Sequence, residues 1–599
     1  MPDGEWPNVV AMLLDQCAAR GEAPFLWAKH EGRYRPISWA DTAGAVARLA
    51  NVLRGAGVVS GERVAIVSEN RPEWLIADFA IMAAGGITVP VYTTNTEADH
   101  RHIFDNSGAR GVIVSSRRLA ARLLPVAHES DSLDFVIAME DPGLAQKLNF
   151  DLLLWDRALA EASGDITELR QRIKPIGRHT TACIVYTSGT GGAPRGVMLD
   201  HGALLHNSAG AADVLAEIGI GDDVFLSFLP LSHAYEHVGG ELLPIYVGAQ
   251  IYYAEGVEKL ATNMVEARPT VMTVVPRLFE LLRGRILRAV EEQGGVAKGL
   301  FDHALLLGTK RYHNPESLNL AERIEDRFLT LLVRRKVRAR FGGRVKALVS
   351  GGAPLTPEVG VFFKALGLLL IQGYGQTEAA PVISVNRPLD VHMDTVGPPL
   401  KNTEVRIADD GEILVRGDLV MQGYWGDAEA TARVLRDGWL HTGDIGEIGA
   451  NGHLRITDRK KDIIVSDKGD NVSPQRIEGM LTLEPEIAQA MIYGDRKPYL
   501  VGLLVPDAEW LKRWARQNSG APGPENLTGN AALHKALGAA VSRLNGRLSN
   551  LERIRRFTIA AEPFSVDNGE MTPTMKIKRH IIVEHYGAAL ESLYQGKTD

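Results

Sequence analysis

Tyr186 to Gly196 reads YTSGTGGAPRG, with four glycines, three small hydroxyls and one cation in eleven residues. That composition suits an anion. Gly189, Gly191 and Gly192 let backbone N–H groups turn inward to form an anion-binding nest. Thr187, Ser188 and Thr190 add hydroxyl donors, and Arg195 presents a fixed fork of donors to phosphate oxygens. The bland reading is a hairpin tip rich in turn residues. The flanking elements narrow the choice. TACIVY before the loop is a buried strand by composition, GVML after it is also β-like, and a helical pattern starts only near His201. The loop therefore joins two strands. A Walker A loop runs from a strand straight into a helix as G-x-x-x-x-G-K-[ST]. Counted from Gly189, the required second glycine falls on Pro194, so the pattern fails. GYGQTE (373–378) lacks the last glycine of a dinucleotide fingerprint.

These residues need a scaffold of more than one core. With 599 residues, two or three domains are expected. The first ~450 residues alternate short β-rich runs with helical patterns, the signature of a layered α/β fold. GERVAIVSEN, ITVPVYTTNT and GVIVSS read as buried strands, and EWLIADFAIMAAGG as a helix. Near Thr403 the grain changes. Asp410-Gly411 stands between two alternating runs, a hairpin signal, and a turn-rich β segment comes next. The expected architecture is a large N-terminal domain (1–457) of layered α/β units plus a small β-barrel. A smaller, mobile α+β domain (458–599) completes the chain, with the boundary at ITDRKKD. Between Leu281 and Arg340 the pattern is mostly helical. Ile324, Phe328, Leu331 and Leu332 give it one apolar side, and Arg334, Arg335, Lys336, Arg338 and Arg340 crowd together. The plain reading is a solvated helix face; the sharper ones are an anionic membrane surface or ligand phosphates.

Composition sets outer limits. Apolar residues make up 45 % and charged residues 23 %, with a net charge of −7. The balance does not suit a nucleic-acid partner. Cys17 and Cys183 are the only cysteines, which fits a reducing cytosol rather than a disulfide framework or a zinc site. No signal peptide or membrane span is expected. The expected location is cytoplasmic, with peripheral contact at the inner face of the membrane left open. The oligomeric state is also open, a homodimer included.

The loop resembles the phosphate loop of the adenylate-forming superfamily, which includes acyl-CoA synthetases, luciferases and peptide-synthetase adenylation domains. That pattern is [YF]-[TS]-[ST]-G-[TS]-T-G-x-P-K-G. Here Gly191 replaces a threonine and Arg195 the lysine. Five further motifs occur in the family's order: SGGAPL (350–355), GYGQTE (373–378), HTGD (441–444), DRKKDII (458–464) and TPTMKIKR (572–579). Together they cover nearly the whole chain.

The resemblance implies a reaction in two halves. A carboxylate attacks the α-phosphate of ATP, giving acyl-AMP and pyrophosphate; the thiol of coenzyme A then attacks the acyl carbon and releases AMP. It implies Glu378 as a Mg²⁺ ligand, with Thr187 sharing the metal. Thr377 faces the α-phosphate and Tyr374 stacks on adenine. Gln372, Gly373, Gly352 and Ala353 line the same pocket. Asp444 takes the ribose hydroxyls, with Arg459 and Lys461 near the nucleotide. Lys576 bridges the attacking carboxylate and the α-phosphate, with Met575 where the pattern G-K-[IL]-x-R has glycine. His233, in LPLSHAYEH, lies beside the acyl carboxylate, while His206 and His237 are read as structural. Asp458 is the hinge about which the C-terminal domain turns, presenting Gly469 to the acyl and CoA channel. The long segment 281–343, RFGGRVKALVSGGAPL and ISVNRP are similar to long-chain fatty acyl-CoA synthetases, so a long-chain fatty acid is the expected substrate. The alternative is a fatty acyl-AMP ligase that passes its adenylate to an acyl carrier protein.

Overall fold

The structure is a computed structural model in which residues 6–143, 148–187, 194–467, 470–518 and 527–595 are described. Two eight-stranded sheets form the body of the first domain. One runs in the order Gly423–Tyr424, Arg195–Asp200, Thr181–Thr187, Ile87–Val91, Arg63–Val67, Gly111–Val114, Phe135–Ala138, Asp151–Leu154. From Thr181–Thr187 onward its neighbours are parallel. Parallel strands are covered on both faces, which is why they read as unbroken apolar runs rather than alternating ones. The second sheet runs Val382–Val385, Leu370–Gly375, Ala347–Ser350, Val271–Val274, Val224–Ser227, Gln250–Tyr253, Pro24–His30, Arg33–Ser38. The helix Pro72–Ala83 is buried at every position but Glu73 and belongs to the main core.

Thr181–Thr187 and Arg195–Asp200 pair antiparallel, with Thr187 opposite Arg195, and the next helix starts at His201. The strand-to-strand placement of the glycine loop is therefore as the sequence predicts. The loop residues Ser188, Gly189, Thr190, Gly191 and Gly192 themselves lie outside the described residues. The Asp410-Gly411 hairpin joins Glu404–Ile407 to Glu412–Arg416 in a five-stranded sheet that ends on Leu454–Arg459. This sheet stands where the sequence predicts the small barrel.

Beyond it, the strands Ile487–Tyr493, Leu500–Pro506 and Ile554–Ile559 form a separate three-stranded sheet. With the helices Pro474–Leu481, Ala531–Asn545 and Arg579–Gln595 they enclose apolar clusters of their own. This unit is docked on the first domain. Arg277 donates to the Ala488 carbonyl at 2.7 Å, Arg288 approaches Asp507 at 3.5 Å, and Arg547 approaches Glu358 at 3.1 Å.

The segment 281–340 is helical, as its pattern predicts, but one cation is not where the sequence puts it. After the helices Pro276–Gln293 and Gly295–His313 comes the run Leu320–Leu329, a π-helical turn Thr330–Arg334, and Arg335–Arg340. The wider turn rotates the side chains at its end away from the regular helical spacing, so Arg334 points inward. It donates to the carbonyls of Ala365, Asp326 and Ala304 and to the Asp326 carboxylate at 2.6 Å. It is a buried structural cation and not a member of the exposed basic group.

Candidate active site

A cavity of about 1860 Å³ lies between the two domains. Its floor comes from the C-terminal ends of the second sheet's strands. Ala347–Ser350 leads into Gly352, whose φ of +84° is left-handed, and Ala353; both line the cavity. Leu370–Gly375 supplies Gln372, Gly373 and Tyr374. A Cβ on Gly375 would lie 1.8 Å from the Pro381 carbonyl oxygen, so the turn that presents Thr377 and Glu378 requires glycine there.

The carboxylate of Asp444 is buried, and both its oxygens are engaged. Arg459 Nε donates to Oδ1 at 2.9 Å and the Tyr374 hydroxyl to Oδ2 at 2.7 Å. Asp444 and Arg459 are cross-strand neighbours in the register of Trp439–Ile448 with Leu454–Arg459, so the pair is set by the sheet and not by a flexible reach. Burial and the Asp444 charge together raise the Tyr374 phenol well above its usual range, so the hydroxyl stays a donor. The tether also fixes the plane of the tyrosine ring. Lys460 and Lys461 both line the cavity from the following turn, and the Lys460 ammonium is engaged by Asp410 and Glu412.

Glu378 is held from a direction the sequence did not reveal. Tyr424 donates to its Oε1 at 2.8 Å, and the Tyr424 ring lies under the Arg195 guanidinium, 5.6 Å from its centroid. Arg195 also approaches Asp427 at 3.4 Å. Tyr424 is placed by pairing with Val197, a partner more than two hundred residues away that no local spacing announces. Thr187, at the end of its strand, lines the same cavity.

Lys576 enters from the C-terminal domain. Its backbone is folded into a tight turn, with Thr572 N–H donating to the Lys576 carbonyl and Lys576 N–H to Thr572 Oγ1. The side chain is half-buried by area yet packed round by protein, because the opening it faces is the cavity itself. Desolvation, reinforced by the Arg459 charge, lowers its ammonium to about 8, against the opposing pull of Asp444, Asp462 and Glu378. Met575, in the glycine position of the motif, has φ +61°. A left-handed residue explains why glycine suits that place. Here the methionine side chain packs against the cluster of Leu229, Tyr235 and Val275 in the first domain.

His233 lines the cavity opposite. Its Nδ1 accepts the Tyr235 N–H at 3.1 Å, and burial, with Lys576 nearby, lowers it to about 3, so it is neutral. Glu236, three residues on, accepts the Ser227 hydroxyl at 2.7 Å and the Thr273 hydroxyl, tying this segment to two strands of the second sheet. His237 pairs with Asp78 at 2.9 Å, and His206 with the Thr403 hydroxyl at 3.2 Å. Asp458 accepts from the Arg459 N–H at 2.7 Å, and burial pushes its carboxyl up to about 6. Gly469 lies outside the described residues.

A nucleotide-sized cleft closed by a second domain that contributes a lysine is the arrangement of an adenylate-forming enzyme. The family model for AMP-binding enzymes matches residues 13–425, and that for the AMP-binding enzyme C-terminal domain matches 461–598. The chain belongs to the AMP-binding enzyme family. It is 33 % identical to the long-chain-fatty-acid–CoA ligase FadD15 of Mycobacterium tuberculosis, over 99 % of this chain and 98 % of that protein. It is 32 % identical to the peroxisomal long chain acyl-CoA synthetase 6 of Arabidopsis thaliana, over 94 % and 82 %. In fold it is similar to the A domain of the carboxylic acid reductase of Segniliparus rugosus, solved with AMP and a co-purified carboxylic acid. That match has a TM-score of 0.76 at 20 % identity, covering 99 % of this chain and 95 % of that one.

Proposed function

We propose that the protein activates a long-chain fatty acid with ATP and transfers it to coenzyme A, giving fatty acyl-CoA, AMP and pyrophosphate. Full-length similarity to relatives named for that activity supports the substrate class. The observation that carries the chemistry is Lys576 standing in one cavity with His233, Glu378 and the Asp444–Arg459 pair.

In the first half-reaction a carboxylate oxygen of the acid bonds to the α-phosphorus of ATP, and the bond to the β-phosphate oxygen breaks. Two anions must meet, and the Lys576 ammonium between them reduces their repulsion. Asp444 retains lone pairs beyond those held by Tyr374 and Arg459, and these accept the ribose hydroxyls. The tethered Tyr374 ring stacks on adenine, with Gln372, Gly373, Gly352 and Ala353 walling the nucleotide, Thr377 on the α-phosphate and Lys461 near it. Neutral His233 orients the acyl carboxylate without adding charge. Arg195 and the loop 188–192 take the leaving phosphates. The oxygen donors Glu378 and Thr187 fit a hard cation, and Tyr424 holds the carboxylate in place for it. Mg²⁺ there would supply positive charge against the phosphates.

In the second half the CoA sulfur bonds to the acyl carbon and AMP leaves. Lys576 is then in the way. The C-terminal domain (458–599) turns about Asp458, withdrawing Lys576 and bringing Gly469 to the acyl channel. No helix among the described residues is long and apolar enough to cross a membrane; a cytoplasmic protein attached peripherally to the inner face is part of this reading. Purified protein given ATP, Mg²⁺, free CoA and saturated acids from short to very long chains should form thioester, with kcat/KM highest for long chains. Acyl-AMP without thioester would instead assign it to the acyl-AMP ligases.

A further inference from the structure

The apolar side of the helical run Leu320–Arg340 has nothing packed on it. Among the described residues sixteen large apolar side chains are exposed, and five of them fall on this run: Leu320, Ile324, Phe328, Leu331 and Leu332. They are 76, 50, 60, 60 and 49 % exposed. Steps of four residues put Leu320, Ile324 and Phe328 on one face of the helix Leu320–Leu329, and Leu331 and Leu332 extend the exposed apolar run into the π-helical turn. The inward face is occupied otherwise, by Leu329, Val333 and the Arg334–Asp326 pair.

Charge on the run is sorted in the same way. Every acid is paired within the protein: Glu322 with Lys310 at 2.8 Å, Glu325 with His303 at 2.7 Å, and Asp326 with Arg311 and Arg334. The cations Arg327, Arg335, Lys336 and Arg340 are exposed and enter no ion pair among the described residues. A chain of net charge −7 thus displays a local field of the opposite sign beside an uncovered apolar stripe.

We propose that this face docks the protein on an anionic lipid bilayer, with the apolar stripe entering the headgroup–acyl boundary and the arginines and Lys336 meeting lipid phosphates. An apolar face bordered by cations is what an interfacial helix requires. The negative surface potential of a leaflet attracts each cation separately. Two copies meeting through this face would oppose like charges. The proposal rests on the peripheral attachment included in the proposed function and names its surface, and its failure is distinguishable from failure of the catalytic reading because binding is measured without ATP, CoA or acid. It also gives the exposed stripe a purpose in a protein whose proposed substrate partitions into membranes.

The test is co-sedimentation of the full chain with vesicles of phosphatidylcholine containing about a third phosphatidylglycerol, with phosphatidylcholine alone, and with the anionic vesicles in high salt. The parent should pellet with the anionic vesicles and much less in the other two conditions. A Phe328→Ser, Leu331→Ser variant should lose about tenfold or more in partition coefficient, and Arg335→Glu, Lys336→Glu should lose a similar factor. None of these side chains lines the cavity, so turnover of a short, freely soluble acid should match the parent and report an intact fold. A parent that stays in the supernatant with anionic vesicles overturns the proposal. So does a Phe328→Ser, Leu331→Ser variant that pellets like the parent. Loss of a dimer in that variant, with vesicle binding unchanged, would assign the face to a second copy instead.

Discussion

Raising the pH from 7 to 9 should switch off the first half-reaction through one group. Lys576 is lowered from its ordinary 10.5 to about 8, chiefly by desolvation in the closed cleft. A shift of about 2.5 units corresponds to about 3 kcal/mol against the charged form, and in the proposed reaction the charged form is the one that bridges two anions. With a value of 8, the protonated fraction is about 0.9 at pH 7 and about 0.1 at pH 9. The kcat/KM for ATP, measured as fatty-acid-dependent pyrophosphate release without CoA, should therefore fall about tenfold over that interval. Leaving CoA out removes the thiol's own ionisation from the profile. At saturating ATP the break in kcat should move to higher pH, because the triphosphate adds negative charge beside the ammonium. Asp444 opposes the shift, so in Asp444→Asn the break should move below that of the parent. A profile flat from pH 7 to 9.5 would refute the reasoning. So would the same break in the residual activity of Lys576→Ala.

The same shift has a stability consequence of opposite utility. The unfolded chain binds the Lys576 proton more tightly between about pH 8 and 10.5, so the penalty is full below 8 and fades as pH rises through that window. Lys576→Met should raise the thermal midpoint by a few degrees at pH 7 and leave it nearly unchanged at pH 10.5, by scanning fluorimetry. Arg334→Leu should cost roughly 3 kcal/mol in denaturant unfolding, since it orphans three carbonyls and part of the buried Asp326; a loss under 1 kcal/mol would refute it. Met575→Gly relieves about 1 kcal/mol of left-handed strain but removes the contact with Leu229, Tyr235 and Val275. Limited proteolysis near residue 458 should become faster and pyrophosphate release a few-fold slower, and greater protection would contradict this. Arg195→Ala should raise KM for ATP about tenfold, whereas Gly191→Thr should keep or improve it.

Much of this molecule is legible along the chain, because its signals are local. The two strands around the glycine loop, the helix beginning at His201 and the Asp410-Gly411 hairpin are set by residue type and spacing over a few positions. What escaped depends on distant register or on cover. Tyr424 reaches Glu378 only because Gly423–Tyr424 joins a strand near residue 197. Arg334 turns inward through a π-helical turn that no residue in LTLLVRR marks. Periodicity identifies Ile324, Phe328, Leu331 and Leu332 as one stripe, but it carries no information on the cover of that stripe, which here is solvent. The left-handed backbone at Met575 is visible in advance only as a methionine standing where the motif has glycine.

The Asp444–Arg459 rung has an implication for the order of events. Arg459 directly succeeds the proposed pivot Asp458, and its guanidinium is clasped to a carboxylate on the neighbouring strand of the first domain. Arg459 lies beyond that pivot, so in the proposed rotation a torsion at Asp458 carries its backbone with the C-terminal domain and loads the clasp. The pair then works as a latch on the closed arrangement, one that has to give before Lys576 can withdraw.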